Sequence, residues 1–404
     1  MAQRRKLTVD QYAALLLDMI DAPLSAETVP RDQAQGRTLA VDQTAQMAIP
    51  PFMNSAMDGF AVRYDDLGGY SRGKAPLPIV GAVYAGDAPL PLSPGTAARI
   101  MTGAPLPTGA DTVVPLEDCA ETADAVGFTS PVVAGQHVRY AGEDRQPGDL
   151  VLQQGTALAA RHLAAAAAAG LTQLPVVRRP RLGIVVTGSE VVAAGGPVGV
   201  GQLPDSNGPF LATAAIQAGG DPTLAHCPDD GVLLDSLLDG TASSADLIVI
   251  TGGASVGDRD TARDVLSQAG GQFLHVAMQP GKPQGHGTWR GTPIVALPGN
   301  PVSVAVSWAV FVRPLIDALL GRPPAPTRWC VAEEPWPSPA GRRQFMPVKL
   351  SYDTAGRTLA RPAGAGGSAS HFVGSLALAD AFAVVPEDAR QVRVGDALQL
   401  ADLA

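Results

Sequence analysis

The chain has 404 residues, 46% of them hydrophobic and 17% charged, with a formal net charge of −9. At roughly 100–200 residues per domain this length predicts two to four domains, and the apolar content excludes disorder as a description of the whole chain. The acidic balance excludes nucleic acid as a partner unless a basic patch exists, and the tight run Arg4–Arg5–Lys6 is short and terminal.

Cys119, Cys227 and Cys330 are widely scattered and match no metal-ligand spacing, which points to a reducing compartment. No apolar run approaches the roughly 20 residues that span a bilayer. Gln3 to Lys6, followed by Thr-Val-Asp-Gln, is not a signal-peptide core. A cytoplasmic location without membrane contact is therefore expected.

Thr8 to Ile20 predicts an amphipathic helix, with Thr8 and Gln11 forming a capping box. Gly36–Val41 is β-like, and Ala-Ile-Pro-Pro at 48–51 breaks regular structure. From Phe52 to Val138, short apolar runs punctuated by Gly and Pro predict a small β domain. Asp58-Gly59 between two such runs is a hairpin signal. Asp149 to Gly170 returns to a strand and an alanine-rich helix, Ala164–Ala169 being its interior. The two flanks are each too small to fold alone, so they predict one discontinuous α/β domain with the β domain inserted.

From Val176 onward, buried strands at Leu182–Thr187, Ala245–Thr251 and Pro293–Leu297 alternate with helical patterns at Pro209–Gln217, Gly231–Leu238 and Thr261–Gln268. That alternation predicts a doubly wound, mainly parallel sheet. A long helix from Pro301 to Leu320 closes it, and a Pro-rich linker follows at Gly321–Thr327. The strand patterns beyond predict a C-terminal β-barrel. The expected division is residues 1–47 with 140–175, then 48–139, 176–322 and 323–404. The fold class is multidomain α/β.

Ligands of an open parallel sheet collect at the carboxyl ends of its strands. Three such ends here run into turns rich in Gly, Ser, Thr or Asn: Thr187-Gly188-Ser189-Glu190, Thr251-Gly252-Gly253-Ala254-Ser255-Val256-Gly257, and Leu297-Pro298-Gly299-Asn300-Pro301. Backbone N–H groups in such turns cradle anions, though strand-to-helix turns also need Gly for their own geometry. A phosphate ligand on an acidic protein calls for Mg²⁺, and Glu190 and Asp260 are the best-placed carboxylates. Asp205 serves as a helix N-cap as readily as a ligand, and for the Asp229-Asp230 pair capping is the favoured reading. Lys282, in Gln279-Pro280-Gly281-Lys282-Pro283, is a point charge suited to phosphate or simply an exposed turn lysine. There is no zinc signature, Gly-x-Ser-x-Gly elbow, Walker loop or Rossmann fingerprint in context.

The ordered set Asn54-Ser55-Ala56-Met57-Asp58-Gly59, Met101-Thr102-Gly103-Ala104-Pro105, Gly142-Glu143-Asp144, Thr251-Gly252-Gly253 with Ser255 and Gly257, Pro280-Gly281-Lys282-Pro283 and Leu297-Pro298-Gly299-Asn300-Pro301-Val302-Ser303 resembles the molybdopterin molybdotransferase family (MoeA, similar to the E domain of gephyrin). The resemblance implies an elongated four-domain subunit, a homodimer, and insertion of molybdate into adenylylated molybdopterin with Mg²⁺-dependent release of AMP. It implies catalytic roles for Asp58, Thr102, Asp144 and Lys282, and metal binding by Glu190 and Asp260. Ligand contacts fall to Thr187, Gly188, Ser189, Asp230, Gly252, Gly253, Ser255, Gly257, His275, Gln279, Pro298, Gly299, Asn300, Pro301 and Ser370. The partners it implies are the molybdopterin adenylyltransferase and apo-molybdoenzymes. His275 and Gln279 stand where the family commonly has Lys, and Ser189 where it often has Asp. These departures keep a second reading open, a molybdopterin-binding carrier or scaffold. A third is an adenylyltransferase, which the inserted domain and Asp58 disfavour.

Overall fold

The computed structural model describes residues 6–68, 75–252, 261–364 and 367–403. The chain divides into two compact units. One comprises residues 1–27, 36–40 and 176–404; the other comprises residues 28–35 and 41–175.

The first unit is built on a seven-stranded sheet. Its order is Lys6–Leu7, Gln272–Val276, Pro283–Trp289, Thr292–Leu297, Leu247–Thr251, Arg181–Thr187 and Asp221–Cys227. Four neighbouring pairs are parallel, and the two that flank Pro283–Trp289 are antiparallel. The sheet is therefore mainly parallel, as the alternating pattern predicts. Alternate side chains enter opposite cores, as the two-residue period of a strand requires. Ile184, Leu247, Val249, Val295 and Leu297 pack on one face with Leu211 and the closing helix. Val185, Ile248, Ile250, Ile294 and Ala296 pack on the other with Leu234, Leu238 and Leu266. Both faces are covered, which is why these strands read as continuous apolar runs.

The N-terminal helix runs Val9–Leu17, and its capping box forms between Thr8 and Gln11. The expected end at Ile20 is three residues too far. Lys6–Leu7 adds a parallel strand beside His275 and Val276, which the sequence did not announce. The Tyr12 hydroxyl is buried and donates to the Gly285 carbonyl oxygen, so the helix is tied to the sheet.

The closing helix spans Pro301–Leu319 and is interrupted by a π turn at Trp308–Val312. Pro314 follows that turn; its ring cannot donate a hydrogen bond and crowds the carbonyl one turn earlier, which the wider turn relieves. Among the described residues this is a helix long and apolar enough to cross a membrane, correcting the expectation that no run approaches that length. Its apolarity has another cause here: Val304, Ala305, Trp308, Phe311 and Leu315 are buried in the core of the sheet.

The C-terminal segment forms a closed five-stranded barrel. Arg343–Tyr352, Thr358–Pro362, Arg328–Ala332, Ala397–Ala401 and Ala381–Val385 follow one another, and the last pairs back with the first. Met278–Gln279, leaving the sheet, pairs in parallel with Arg343–Gln344 of the barrel.

The second unit centres on a six-stranded sheet ordered Cys119–Glu121, Ala125–Phe128, Leu77–Val83, Ala97–Ile100, Gly59–Val62 and Thr112–Pro115. The expected hairpin at Asp58-Gly59 does not form. Asn54–Ser55 pairs with Val138–Arg139, whereas Gly59–Val62 pairs with the Ala97 and Thr112 strands. Gly59 answers a different need: a Cβ there would lie 2.0 Å from the Val114 carbonyl oxygen. The Ala-rich helix runs Ala160–Ala168.

Candidate active site

The strand ends and turns of the first unit meet as expected around Asn207. Its side-chain amide donates to Thr251 Oγ1 at 3.1 Å and to the Gly299 carbonyl oxygen at 2.7 Å, joining two of the three loops. Gly252 brings the third close: a Cβ there would lie 2.4 Å from the Thr187 carbonyl oxygen, and its φ is +93°. Only glycine meets both conditions. Gly253, Ser255, Gly257 and Asp260 lie outside the described residues.

Beside these loops lies a cleft of about 430 Å³. Gln279, Lys282, Pro298, Gly299, Asn300 and Ser370, all read from the sequence, line it. Pro301 starts the closing helix at its rim. The Asn300 amide donates to Ser370 Oγ at 3.0 Å, and the Ser370 carbonyl accepts from the Val302 N–H. The C-terminal serine is thus anchored to the anion loop. Arg342 also lines the cleft and was not among the expected residues. Its guanidinium donates to Gln279 Oε1 at 3.2 Å. A lysine at 279 could not accept that bond. Lys282 and Arg342 place two cations in the cleft, and among the described residues that line it none is acidic. In a chain of net charge −9 this is a local reversal of sign. His275 lies on the neighbouring strand Gln272–Val276 and is not part of the lining.

Around the first strand end, Ser189 and Asp229 bond reciprocally. The Ser189 N–H donates to Asp229 Oδ2, and the Asp229 N–H to Ser189 Oγ, each at 3.0 Å. Serine in place of the family's acid gives Asp229 a neutral partner. Asp230 caps the helix Gly231–Ala242 by accepting from the Val232 and Leu233 N–H groups. Asp205 is buried, accepts from the Asn207 and Gly208 N–H groups, and meets His226 Nε2 at 2.8 Å. Capping thus accounts for both acids. Glu190 is exposed, and its carboxylate leans over Gly188, where a Cβ would approach it to 2.7 Å. No group of three or more metal-type side chains occurs among the described residues. A single free carboxylate still suits Mg²⁺, which binds through one or two carboxylates, ligand phosphates and water.

In the second unit Asp58 and Thr102 meet. Asp58 Oδ1 accepts from the Thr102 N–H and from its hydroxyl, both at 2.7 Å. The backbone bond, then the hydroxyl bond, holds the Asp58 carboxyl below its ordinary titration range, with Arg99 assisting. Asp144 is exposed and paired with Arg145 at 3.0 Å. A carboxylate whose pKa is depressed in the folded state adds stability above its ordinary pKa and loses it as pH falls through the depressed value. Replacing Thr102 by Val keeps the backbone donor and removes the hydroxyl. The Asp58 carboxyl carbon, followed by NMR, is expected to titrate at higher pH in Thr102→Val than in the parent. An unchanged midpoint would deny the hydroxyl its role.

Three family models match the chain: the MoeA N-terminal region (domain I and II) over residues 7–170, a probable molybdopterin binding domain over 183–318, and the MoeA C-terminal region (domain IV) over 330–403. The chain is 42% identical over 410 residues to molybdopterin molybdenumtransferase 2 of Mycobacterium tuberculosis H37Rv, covering 98% of this chain and 99% of that protein. It is 30% identical to the molybdopterin molybdenumtransferase of Haemophilus influenzae, with 98% of each covered. The crystal structure of the molybdopterin biosynthesis MoeA protein of Pyrococcus horikoshii OT3 superposes with a TM-score of 0.83 at 28% identity, over 98% of this chain and 100% of that one. The chain belongs to the MoeA family of molybdopterin molybdenumtransferases.

Proposed function

We propose that this chain inserts molybdate into adenylylated molybdopterin, with Mg²⁺-dependent release of AMP. The carrying observation is the cleft lined by Lys282 and Arg342, with no acidic side chain among the described residues of its lining. Molybdate and phosphate are both tetrahedral oxyanions. Arg342 offers a planar fork of donors and Lys282 a compact point charge, a combination suited to one oxyanion held by two walls. The Gly299–Asn300 turn adds polar groups at the start of a helix. Arg342 answers the charge deficit created by Gln279, so the transferase reading is preferred to a carrier without turnover.

The residues that would hold Mg²⁺ are Glu190 and Asp260, with ligand phosphate oxygens completing the set. When bound, the ion neutralises the phosphates and favours departure of AMP. Asp58, kept ionised by Thr102, is an acceptor for a proton or a water molecule at neutral pH. The proposal extends to a cytoplasmic homodimer, to the four-domain division given above, and to exchange with the adenylyltransferase and apo-molybdoenzymes.

The test is AMP release from adenylylated molybdopterin with molybdate, titrated with Mg²⁺. Loss of even a supporting partner typically costs roughly 10–100-fold in metal affinity. Glu190→Gln is expected to raise the Mg²⁺ concentration for half-maximal release by at least that much, with an unchanged melting temperature because the side chain is exposed. Equal Mg²⁺ dependence in the two proteins would remove Glu190 from the metal site.

A further inference from the structure

Asp205 is 5% exposed, and its two carboxylate oxygens serve different neighbours. Oδ1 accepts from the Asn207 and Gly208 N–H groups, each at 2.9 Å. Oδ2 meets Nε2 of His226, on the edge strand Asp221–Cys227, at 2.8 Å. A carboxylate oxygen only accepts, so the imidazole nitrogen donates. Oδ2 and the two Leu224 methyls close over the bare Cα of Gly208: a Cβ there would lie 2.3 Å from the oxygen and 2.9 and 3.0 Å from the methyls. Glycine at 208 thus lets the carboxylate press onto the start of the helix Asn207–Gln217. Capping that helix uses Oδ1 alone. A buried carboxylate oxygen without a donor is destabilising, and His226 removes that deficit at Oδ2.

Asp205 fixes the backbone of Asn207, whose side-chain amide joins Thr251 Oγ1 to the Gly299 carbonyl oxygen. Asn207 Oδ1 is buried and has no hydrogen-bond partner among the described residues, so no bond at that end steadies the side chain. Its aim therefore depends on where its backbone is held. Gly299 lines the cationic cleft, and His226 is not among the lining. We infer that His226 is a positioning residue: through Asp205 and Asn207 it sets the Gly299 turn against the end of the Thr251 strand, and so shapes the cleft from outside it. The consequence for turnover rests on the proposed function; the consequence for Asn207 does not.

Asparagine occurs at three positions, Asn54, Asn207 and Asn300. Full-length protein labelled with ¹⁵N at asparagine alone therefore gives a simple NMR record of the bridge. In His226→Ala the Asn207 side-chain amide protons are expected to exchange with solvent faster by roughly tenfold or more, the factor for losing a hydrogen bond to a charged group. Those of Asn54, in the other compact unit, are expected to be unchanged. His226→Gln is expected to restore slow exchange, because its side-chain amide can donate to Asp205. In AMP release, KM for molybdate is expected to rise roughly tenfold to a hundredfold in His226→Ala with little change in kcat, and to return in His226→Gln. A lower melting temperature in His226→Ala with parent-like Asn207 exchange would make the histidine merely structural and overturn the inference. Faster Asn207 exchange with a parent-like KM would also overturn it, by cutting the link to the cleft. If the parent turns over and Asn207 exchange ignores His226, the positioning role falls and the transferase stands. If the parent does not turn over but the exchange follows His226 in both variants, the reverse holds.

Discussion

Lys282→Ala is expected to lower kcat/KM for molybdate-dependent AMP release by roughly fivefold to a thousandfold, the range given by losing one charge at about 4 Å from an anion in a medium between bulk water and a protein surface. The upper part of the range applies if the bound ligand excludes water from the cleft. Melting temperature is expected to stay within a degree or so, because Lys282 is exposed and carries no ion pair among the described residues. Lys282→Arg keeps the charge and is expected to retain most of the activity, whereas Lys282→Gln should resemble Ala. The loss should shrink with added salt, since screening already weakens the parent's attraction. Parent-like kinetics for Lys282→Ala at low salt would take the lysine out of the anion site, and the functional reading would lose one of its two cations.

Gly59→Ala should unfold or insolubilise the second unit at temperatures where the parent is intact. The added methyl would meet the Val114 carbonyl oxygen at 2.0 Å and Pro115 Cα at 3.0 Å. Both are backbone atoms of the paired strand, and neither can swing aside as a side-chain end could. Overpacking of a tight interior typically costs about 1–3 kcal/mol and sometimes more; a backbone clash in the middle of a sheet belongs at the high end. Chemical denaturation of the full-length protein is the measurement. The same experiment bears on Asp58, which adjoins Gly59 and holds Thr102 across the sheet. Parent-like stability with intact Asp58 titration would show that the two strands separate at little cost.

What could be read from the residues depended on burial. Leu182–Thr187, Leu247–Thr251 and the strand through Pro293–Leu297 are buried and announce themselves as apolar runs. Asp221–Cys227 sits at the sheet's edge with much of its length exposed, so its pattern is polar and silent. Pro283–Trp289 contains Gln284, Gly285 and His286 in the interior, where Gly285 makes room for Phe273. No propensity rule assigns such a segment to a strand. Asp58-Gly59 misled for a related reason: the dipeptide is common in hairpins, but here the glycine serves a strand crossing rather than a turn. Within the site, the loop residues were legible because turns at strand ends have a compositional signature. Arg342 was not, since an arginine in the Arg342–Arg343 pair carries no local mark of which one faces inward. Arg343 turns to Asp10 and Glu387, while Arg342 turns to Gln279.

The parallel pairing of Met278–Gln279 with Arg343–Gln344 fixes the spacing of two of the backbone segments that border the cationic cleft. Lys282 follows one side of that ladder by three residues, and Arg342 immediately precedes the other. On the proposed function, Lys282 and Arg342 reach the oxyanion from backbone segments held in register by that ladder, and their flexible side chains make the final fit.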